Sequence, residues 1–103
     1  MPEFHKIGSV DQVPEGAGRE FQAGGKKVAV FNVKGAFHAI PGICPHRGGP
    51  LAEGVLDGCE VTCPWHAWTF DVTNGNRHGF PAGMGGISTY RVRVEGNEIW
   101  VEC

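Results

Sequence analysis

Apolar residues in this chain come in short runs separated by glycine, proline and asparagine, and the runs have the two-residue period of strands. Lys27-Val28-Ala29-Val30-Phe31-Asn32-Val33 is dense in β-formers. Lys34-Gly35 follows as a two-residue turn, and Ala36-Phe37-His38-Ala39-Ile40 returns, which predicts a hairpin. Leu56-Asp57-Gly58-Cys59-Glu60-Val61-Thr62 predicts a turn and a short strand. Trp68-Thr69-Phe70-Asp71-Val72 predicts another, turned by Thr73-Asn74-Gly75-Asn76. Residues 76 to 87, carrying Gly79, Pro81, Gly83, Gly85 and Gly86, are expected to be loop. Thr89-Tyr90-Arg91-Val92-Arg93-Val94 alternates polar with apolar, Gly96-Asn97 turns, and Glu98-Ile99-Trp100-Val101 closes a last hairpin. The helical signal is confined to Ser9-Val10-Asp11-Gln12, which has the spacing of a capping box and is stopped by Pro14, Gly16 and Gly18. Seven or so short strands joined by turns predict an all-β fold, a small antiparallel β-sandwich or barrel. With no internal repeat and no linker, one domain over residues 1–103 is expected.

Composition agrees with that picture and narrows the function classes. Seventeen glycines in 103 residues suit a turn-rich β protein better than a helical one. Nine basic residues against eleven acidic give a net charge of −2, which argues against nucleic-acid or membrane electrostatics. No stretch approaches the roughly 20 apolar residues of a membrane span, and no apolar run follows Met1. Neither signal peptide nor membrane anchor is expected, and a cytoplasmic location follows from that. There are four cysteines. Two of them stand beside histidines at ligand spacing, so metal binding is the better reading than a pair of disulfides.

Those clusters carry the chemistry. Cys44-Pro45-His46 and Cys63-Pro64-Trp65-His66 are separated by sixteen residues, giving C-x-H, then C-x2-H. Two thiolates and two imidazoles can hold an iron–sulfur cluster in which His replaces Cys on one iron. They can also hold a closed tetrahedral zinc, although zinc sites favour C-x2-4-C pairs.

The flanks separate these readings. Cys44-Pro45-His46-Arg47-Gly48-Gly49-Pro50-Leu51 and Cys63-Pro64-Trp65-His66-Ala67-Trp68-Thr69-Phe70-Asp71 resemble the two cluster-binding loops of Rieske proteins. The resemblance extends from about residue 28 onward and is weakest in residues 1–25. It implies the Rieske fold, with a cluster-binding subdomain whose loops cover about 41–51 and 61–71. It also implies a 2Fe–2S cluster with Cys44 and Cys63 on one iron and His46 and His66 on the other. Six positive charges from two ferric irons would then balance two sulfides and two thiolates. Adding an electron to this neutral centre costs less than adding one to a four-Cys dianion. The His-ligated class accordingly spans about −150 to +300 mV, against about −400 mV for plant-type clusters.

Departures from the high-potential members place this chain near the low end. Rieske proteins of respiratory complexes carry a further Cys in each loop, joined in a disulfide; the matching positions are Gly49 and Trp65. They also set a Ser and a Tyr hydroxyl near the cluster sulfurs, where this chain has Trp68 and Phe70. Hydrogen bonds to sulfur favour the reduced cluster, so their loss lowers the potential. Gly48 and Gly49 allow close backbone approach, and Pro81 resembles the proline-bearing third loop that covers the cluster in this family.

Fully ligated by protein, such a centre transfers one electron and binds no substrate, and no second metal site or nucleotide fingerprint is visible. The resemblance therefore implies a soluble Rieske-type ferredoxin, not an enzyme on its own. It would pass electrons from a flavoprotein reductase to a terminal oxygenase through transient contacts below about 1,200 Å², itself a monomer. The alternatives are the small Rieske-like subunit of an assimilatory nitrite reductase and a zinc-stabilised binding module. Outside the ligand set, Cys59 and Cys103 are expected to be ordinary thiols, Cys103 frayed at the terminus, and His5 and His38 structural. His78 has no ligand partner at useful spacing; it stands just before the proline loop, and a place near the cluster is its second reading. Trp65 has two readings, docking face or packing, as has Arg47, a charge at the cluster tip or a solvated surface residue. Phe31, Tyr90 and Trp100 are expected in the core.

Overall fold

The computed structural model describes residues 3–43, 49–65, 68–81 and 85–103. The run Val28-Ala29-Val30-Phe31 is buried at every position, which a strand achieves only when both of its faces are covered. It lies in β3 (Lys26–Val33), the middle strand of a sheet flanked by β2 (Gly18–Ala23) and β4 (Ala36–Pro41). Successive side chains point to opposite faces. Ala29 and Phe31 therefore join one core with Ile40, Leu51, Val61, Cys63, Phe70 and Val72. Val28 and Val30 join a second with Val13, Phe21, Ala23, Ala39, Ile99 and Val101.

Each core is closed by another antiparallel three-stranded sheet. On one side, β1 (Phe4–Ser9), β9 (Glu98–Glu102) and β8 (Arg91–Glu95) pair in the order β1-β9-β8. On the other, β5 (Val55–Asp57), β6 (Glu60–Thr62) and β7 (Thr69–Asp71) pair in sequence order. An all-β fold of antiparallel sheets is what the sequence pattern predicts. The central sheet is shared between two cores, and it joins the terminal sheet through a bridge in which the Tyr90 amide donates to the Ala39 carbonyl at 2.9 Å.

The hairpins of β3–β4 and β8–β9 stand where the alternation places them, each around a two-residue turn. Lys34 at φ +53 and Gly35 at φ +90 turn the first, the handedness that matches strand twist. Among the described residues, Asn32 is the buried polar one. Its Nδ2 donates to the Val13 carbonyl at 2.9 Å and its Oδ1 accepts from the Gly35 amide at 2.8 Å, so burial leaves it satisfied. The helical signal at Ser9 resolves as a 3-10 turn, Val10–Gln12, with Gln12 Oε1 accepting from the Ser9 amide at 2.9 Å.

Four expectations change. The described residues form nine strands rather than seven, because β1 and β2 lie in a stretch with no clear strand signal. The stretch read as a turn and one strand after Gly54 is a hairpin, β5–β6, turned at Gly58 with φ +62. Cys103 is tied down: its amide donates to the Glu3 carbonyl at 3.2 Å and its thiol to the Ala23 carbonyl at 3.3 Å. Trp100 is half-buried and outside both cores, whereas Phe31 lies at the centre of one and Tyr90 packs against the other. On the outer sheet Lys6 Nζ lies 2.7 Å from Glu98, holding that carboxyl below the usual carboxylate range.

Candidate metal centre

Two loops at one end of the β5-β6-β7 sheet carry the Cys/His pairs. The first leaves β4 and is pinched at its base. Ile43 bridges Pro50, and the Leu51 amide donates to the Gly42 carbonyl at 3.1 Å. Below the pinch, the Gly42 amide donates to the Lys27 carbonyl at 2.9 Å, fastening the loop to β3. Beyond it, Leu51 is fully buried in the core and opens a 3-10 turn, Leu51–Glu53. The second loop leaves β6 at Cys63 and re-enters β7 at Trp68, with the Cys63 amide donating to the Trp68 carbonyl at 2.8 Å. The cross-strand pair Thr62–Thr69 braces it from below, their hydroxyl oxygens 3.0 Å apart.

Of the four expected ligands, the structure describes Cys63. Cys44, His46 and His66 lie outside the described residues, as do Arg47 and Gly48. Cys63 is 1% exposed although it sits at a loop entrance. Gly49, at the exit of the first loop, faces it. A Cβ added to Gly49 would stand 2.8 Å from Cys63 Sγ and 3.1 Å from Trp65 Cγ. The two loops thus meet at a point where a bare Cα lies against a thiol sulfur, the close approach that only glycine permits. The donor chemistry fits a His-ligated 2Fe–2S group. The exit of the first loop and the entrance of the second converge, and the sulfur at the convergence is screened from water by core side chains.

The same contact accounts for Trp65. Its indole rests on Gly49, as the packing reading has it, and is still 60% exposed. It fills the space that a side chain at Gly49 would need. Gly49 and Trp65 are the positions where the resemblance sets a disulfide in respiratory members, and here glycine and indole are in contact instead.

A third segment packs beside the second loop. Arg77 bridges Phe70, and the His78 amide donates to the Thr69 carbonyl at 2.8 Å, so the chain runs along β7 before leaving it. His78 Nδ1 lies 3.0 Å from Glu60 Oε2 on the exposed face of that sheet. Its described partner is thus a carboxylate. Pro81 is exposed, and Phe80 before it is 45% exposed. With Ile43 (46%) and Trp65, each of the three loops presents an apolar side chain to solvent.

At the far end of the sheet, the Cys59 thiol donates to Asp71 Oδ2 at 3.5 Å. Burial, then the hydrogen bond and charge of Asp71, push this thiol up, which keeps it protonated and unreactive. Burial also works to raise Asp71, but hydrogen bonds from the Thr73 hydroxyl and amide, the Cys59 thiol and the Asn74 amide outweigh it. They hold the carboxyl below its ordinary value. Sequence reasoning assigned Asp71 only to a motif flank; its placement between Cys59 and the Thr73 turn shows why an acid stands there.

Comparison with known proteins agrees with this geometry. The family model of the Rieske 2Fe–2S domain matches residues 3–91. Human apoptosis-inducing factor 3 is 36% identical over 94 residues; these are 91% of this chain but 15% of that protein, so the chain spans a small part of this relative. The biphenyl dioxygenase ferredoxin subunit of Pseudomonas sp. strain KKS102 is 37% identical over 100 residues, covering 96% of this chain and 91% of the relative. The ferredoxin of carbazole 1,9a-dioxygenase from Nocardioides aromaticivorans IC177 superposes with a TM-score of 0.84 at 30% identity, over 98% of this chain and 96% of that one. The family's cofactor is a 2Fe–2S cluster, and among the described residues no helix is long and apolar enough to cross a membrane. Three stacked antiparallel sheets, two pinched loops meeting at Gly49 and Cys63, and a sequence match over residues 3–91 together establish that this chain belongs to the Rieske 2Fe–2S domain family.

Proposed function

We propose that this chain is a one-electron carrier, a single domain over residues 1–103 whose 2Fe–2S cluster is held by Cys44, His46, Cys63 and His66. The observation that carries the reading is the convergence of the two loops on a buried Cys63 sulfur, with exposed apolar side chains around them. Bound there, the cluster supplies reversible one-electron redox chemistry and no open coordination position. The protein does the rest. Gly49 and the core side chains exclude water from the Cys63 side. The pinches at Ile43–Pro50 and Cys63–Trp68 hold the loops in register, so little rearrangement accompanies a change of charge. Ile43, Trp65 and Phe80 offer an apolar surface on which a partner can sit close enough for electron transfer.

The partners we assign are a flavoprotein reductase as donor and the terminal oxygenase of a ring-hydroxylating system as acceptor. The ferredoxin relatives of dioxygenase systems support this, since this chain covers nearly their whole length. The test is an anaerobic titration followed by mixing. The purified protein should be red-brown, with bands between about 400 and 600 nm. It should take up one electron per chain and be reoxidised by a Rieske terminal oxygenase. A colourless protein containing zinc would overturn the cluster, and reoxidation only by a sirohaem nitrite reductase would replace the oxygenase as acceptor.

We also assign the potential to the low end of the His-ligated range, because Phe70 is fully buried in the same core as Cys63 and brings no hydroxyl. Phe70→Tyr provides one. A hydrogen bond worth about 1 kcal/mol more in the reduced state raises a one-electron potential by roughly 40 mV. If the hydroxyl finds no sulfur, it is buried without a partner and costs about 1–3 kcal/mol instead. Voltammetry and thermal melting on one sample separate the outcomes. A higher potential at unchanged melting temperature is expected; an unchanged potential with a lower melting temperature removes Phe70 from the cluster's surroundings.

A further inference from the structure

Arg77 lies between two aromatic rings. Its guanidinium carbon stands 3.5 Å from the ring centroid of Trp68 and 4.3 Å from that of Phe80. Trp68 closes the second ligand loop, and Phe80 belongs to the third segment, next to Pro81. Gly85, on the returning arm of that segment, lies against the same stack: a Cβ there would be 3.5 Å from Arg77 Cδ and 3.6 Å from Phe80 Cδ2. Among the described residues no carboxylate forms an ion pair with Arg77. Its charge is held by π faces and not neutralised by an acid. Among the described residues, the backbone ties the outgoing arm to β7 at its start, through the Phe70–Arg77 bridge and the His78 amide on Thr69. Phe80 and Gly85 both meet the Arg77 side chain, whose other face lies on Trp68.

We propose that Arg77 is a latch: its guanidinium clamps the third segment onto the second ligand loop and fixes an unneutralised positive charge beside it. It is a positioning residue, touching neither cluster nor substrate. Two consequences follow. Residues 77–81 and 85–87 are held against Trp68 by a contact that side-chain exchange can remove. A fixed cation near the ligands stabilises the reduced, more negative state of the cluster and raises its potential. The second consequence rests on the reading that Cys44, His46, Cys63 and His66 hold that cluster; the first does not.

Three variants test it: Arg77→Met removes charge and plane, Arg77→Lys keeps charge and loses the plane, and Phe80→Ala removes one wall of the stack. Amide hydrogen exchange of residues 77–80 and 85–87 is measured with β8–β9 as internal reference, and the reduction potential on the same proteins. Exchange should rise about tenfold in Arg77→Met, the factor that two cation–π contacts of a partly exposed guanidinium represent. It should rise severalfold in Phe80→Ala and in Arg77→Lys, with β8–β9 unchanged. The potential should fall in Arg77→Met and be restored towards the parent value by Arg77→Lys, a recovery that a purely steric role would not give. Exchange within twofold of the parent in both Arg77→Met and Phe80→Ala overturns the latch. Should Arg77→Met lose protection throughout, Phe80→Ala decides alone, since its side chain is exposed. A potential in Arg77→Lys as low as in Arg77→Met overturns the electrostatic half. A parent protein without visible bands overturns the ligand assignment while leaving the exchange comparison standing.

Discussion

A Cys63→Ser protein is expected to purify without colour, its iron falling from about two per chain to near zero. The thiolate is the ligand that iron–sulfur chemistry requires, and a serine hydroxyl is a harder, far less acidic donor. The Cys63 sulfur sits where the first loop's Gly49 backbone and the Trp65 ring converge. The exchange is small, so the β framework should survive: sulfur to oxygen in a core that also contains Phe70 and Leu51 costs stability without emptying the space. Cys59→Ser is the matched control. That thiol donates to Asp71 and is kept protonated by burial and by the carboxylate, and a hydroxyl can make the same bond. Colour and iron should be unchanged. Visible absorption and elemental analysis of the two variants read both results. Colour retained by Cys63→Ser, or lost by Cys59→Ser, means the ligand set is wrong. His46→Ala extends the test to the histidine side, where loss of the bands is again expected.

Spacing and flanks made the family legible in the sequence, because metal geometry demands particular residue types at fixed intervals; of the four proposed ligands the structure describes Cys63. The central hairpin was legible for a different reason. A four-residue apolar run in a strand is buried on both faces, and Lys34-Gly35 can adopt positive φ. What was not legible depends on pairing across the chain. Phe4-His5-Lys6-Ile7-Gly8-Ser9 has no run and no clean alternation, and none of it is fully buried; it becomes β1 because β9 offers an open edge. In β2 only Phe21 and Ala23 are buried, between polar and glycine neighbours. Neither strand has enough local preference to announce itself; tertiary context decides. The Arg77 stack was hidden too. It joins residues nine and three positions apart in a loop with no period, so no pattern rule connects them. Even Cys103, which looked free to fray, is fixed by a carbonyl eighty residues away.

The glycines of the third segment divide into those that only turn and those that also make room, and this division gives a second large effect. Gly75→Ala is expected to lower stability by about 2–4 kcal/mol, and Gly79→Ala by only about 1 kcal/mol. Both residues have a left-handed backbone, φ +78 and φ +84, so both substitutions meet the same conformational cost. They differ in surroundings. A Cβ at Gly79 meets nothing within 4 Å, whereas one at Gly75 would fall 2.0 Å from the Ile87 carbonyl oxygen. That neighbour is backbone and is fixed: the Ile87 amide donates to the Gly75 carbonyl at 2.8 Å, and the Gly75 amide donates to Asp71 at 2.7 Å. Relief requires Ile87 to move, and Ile87 packs against the core that contains Cys63. For a domain of this length each kcal/mol moves the melting temperature by about 4–8 °C. Gly75→Ala should therefore melt about 8–32 °C below the parent and Gly79→Ala about 4–8 °C below it. Equal shifts would mean that the close approach at Ile87 relaxes freely and that backbone handedness alone sets the cost. Unequal shifts, with faster chelator bleaching in Gly75→Ala only, would place the anchor of the third segment at the Gly75–Ile87 contact. The clamp at Arg77 and the anchor at Ile87 then hold the third segment at two points, one on Trp68 and one on Gly75, and loosening either should raise exchange in the same segment.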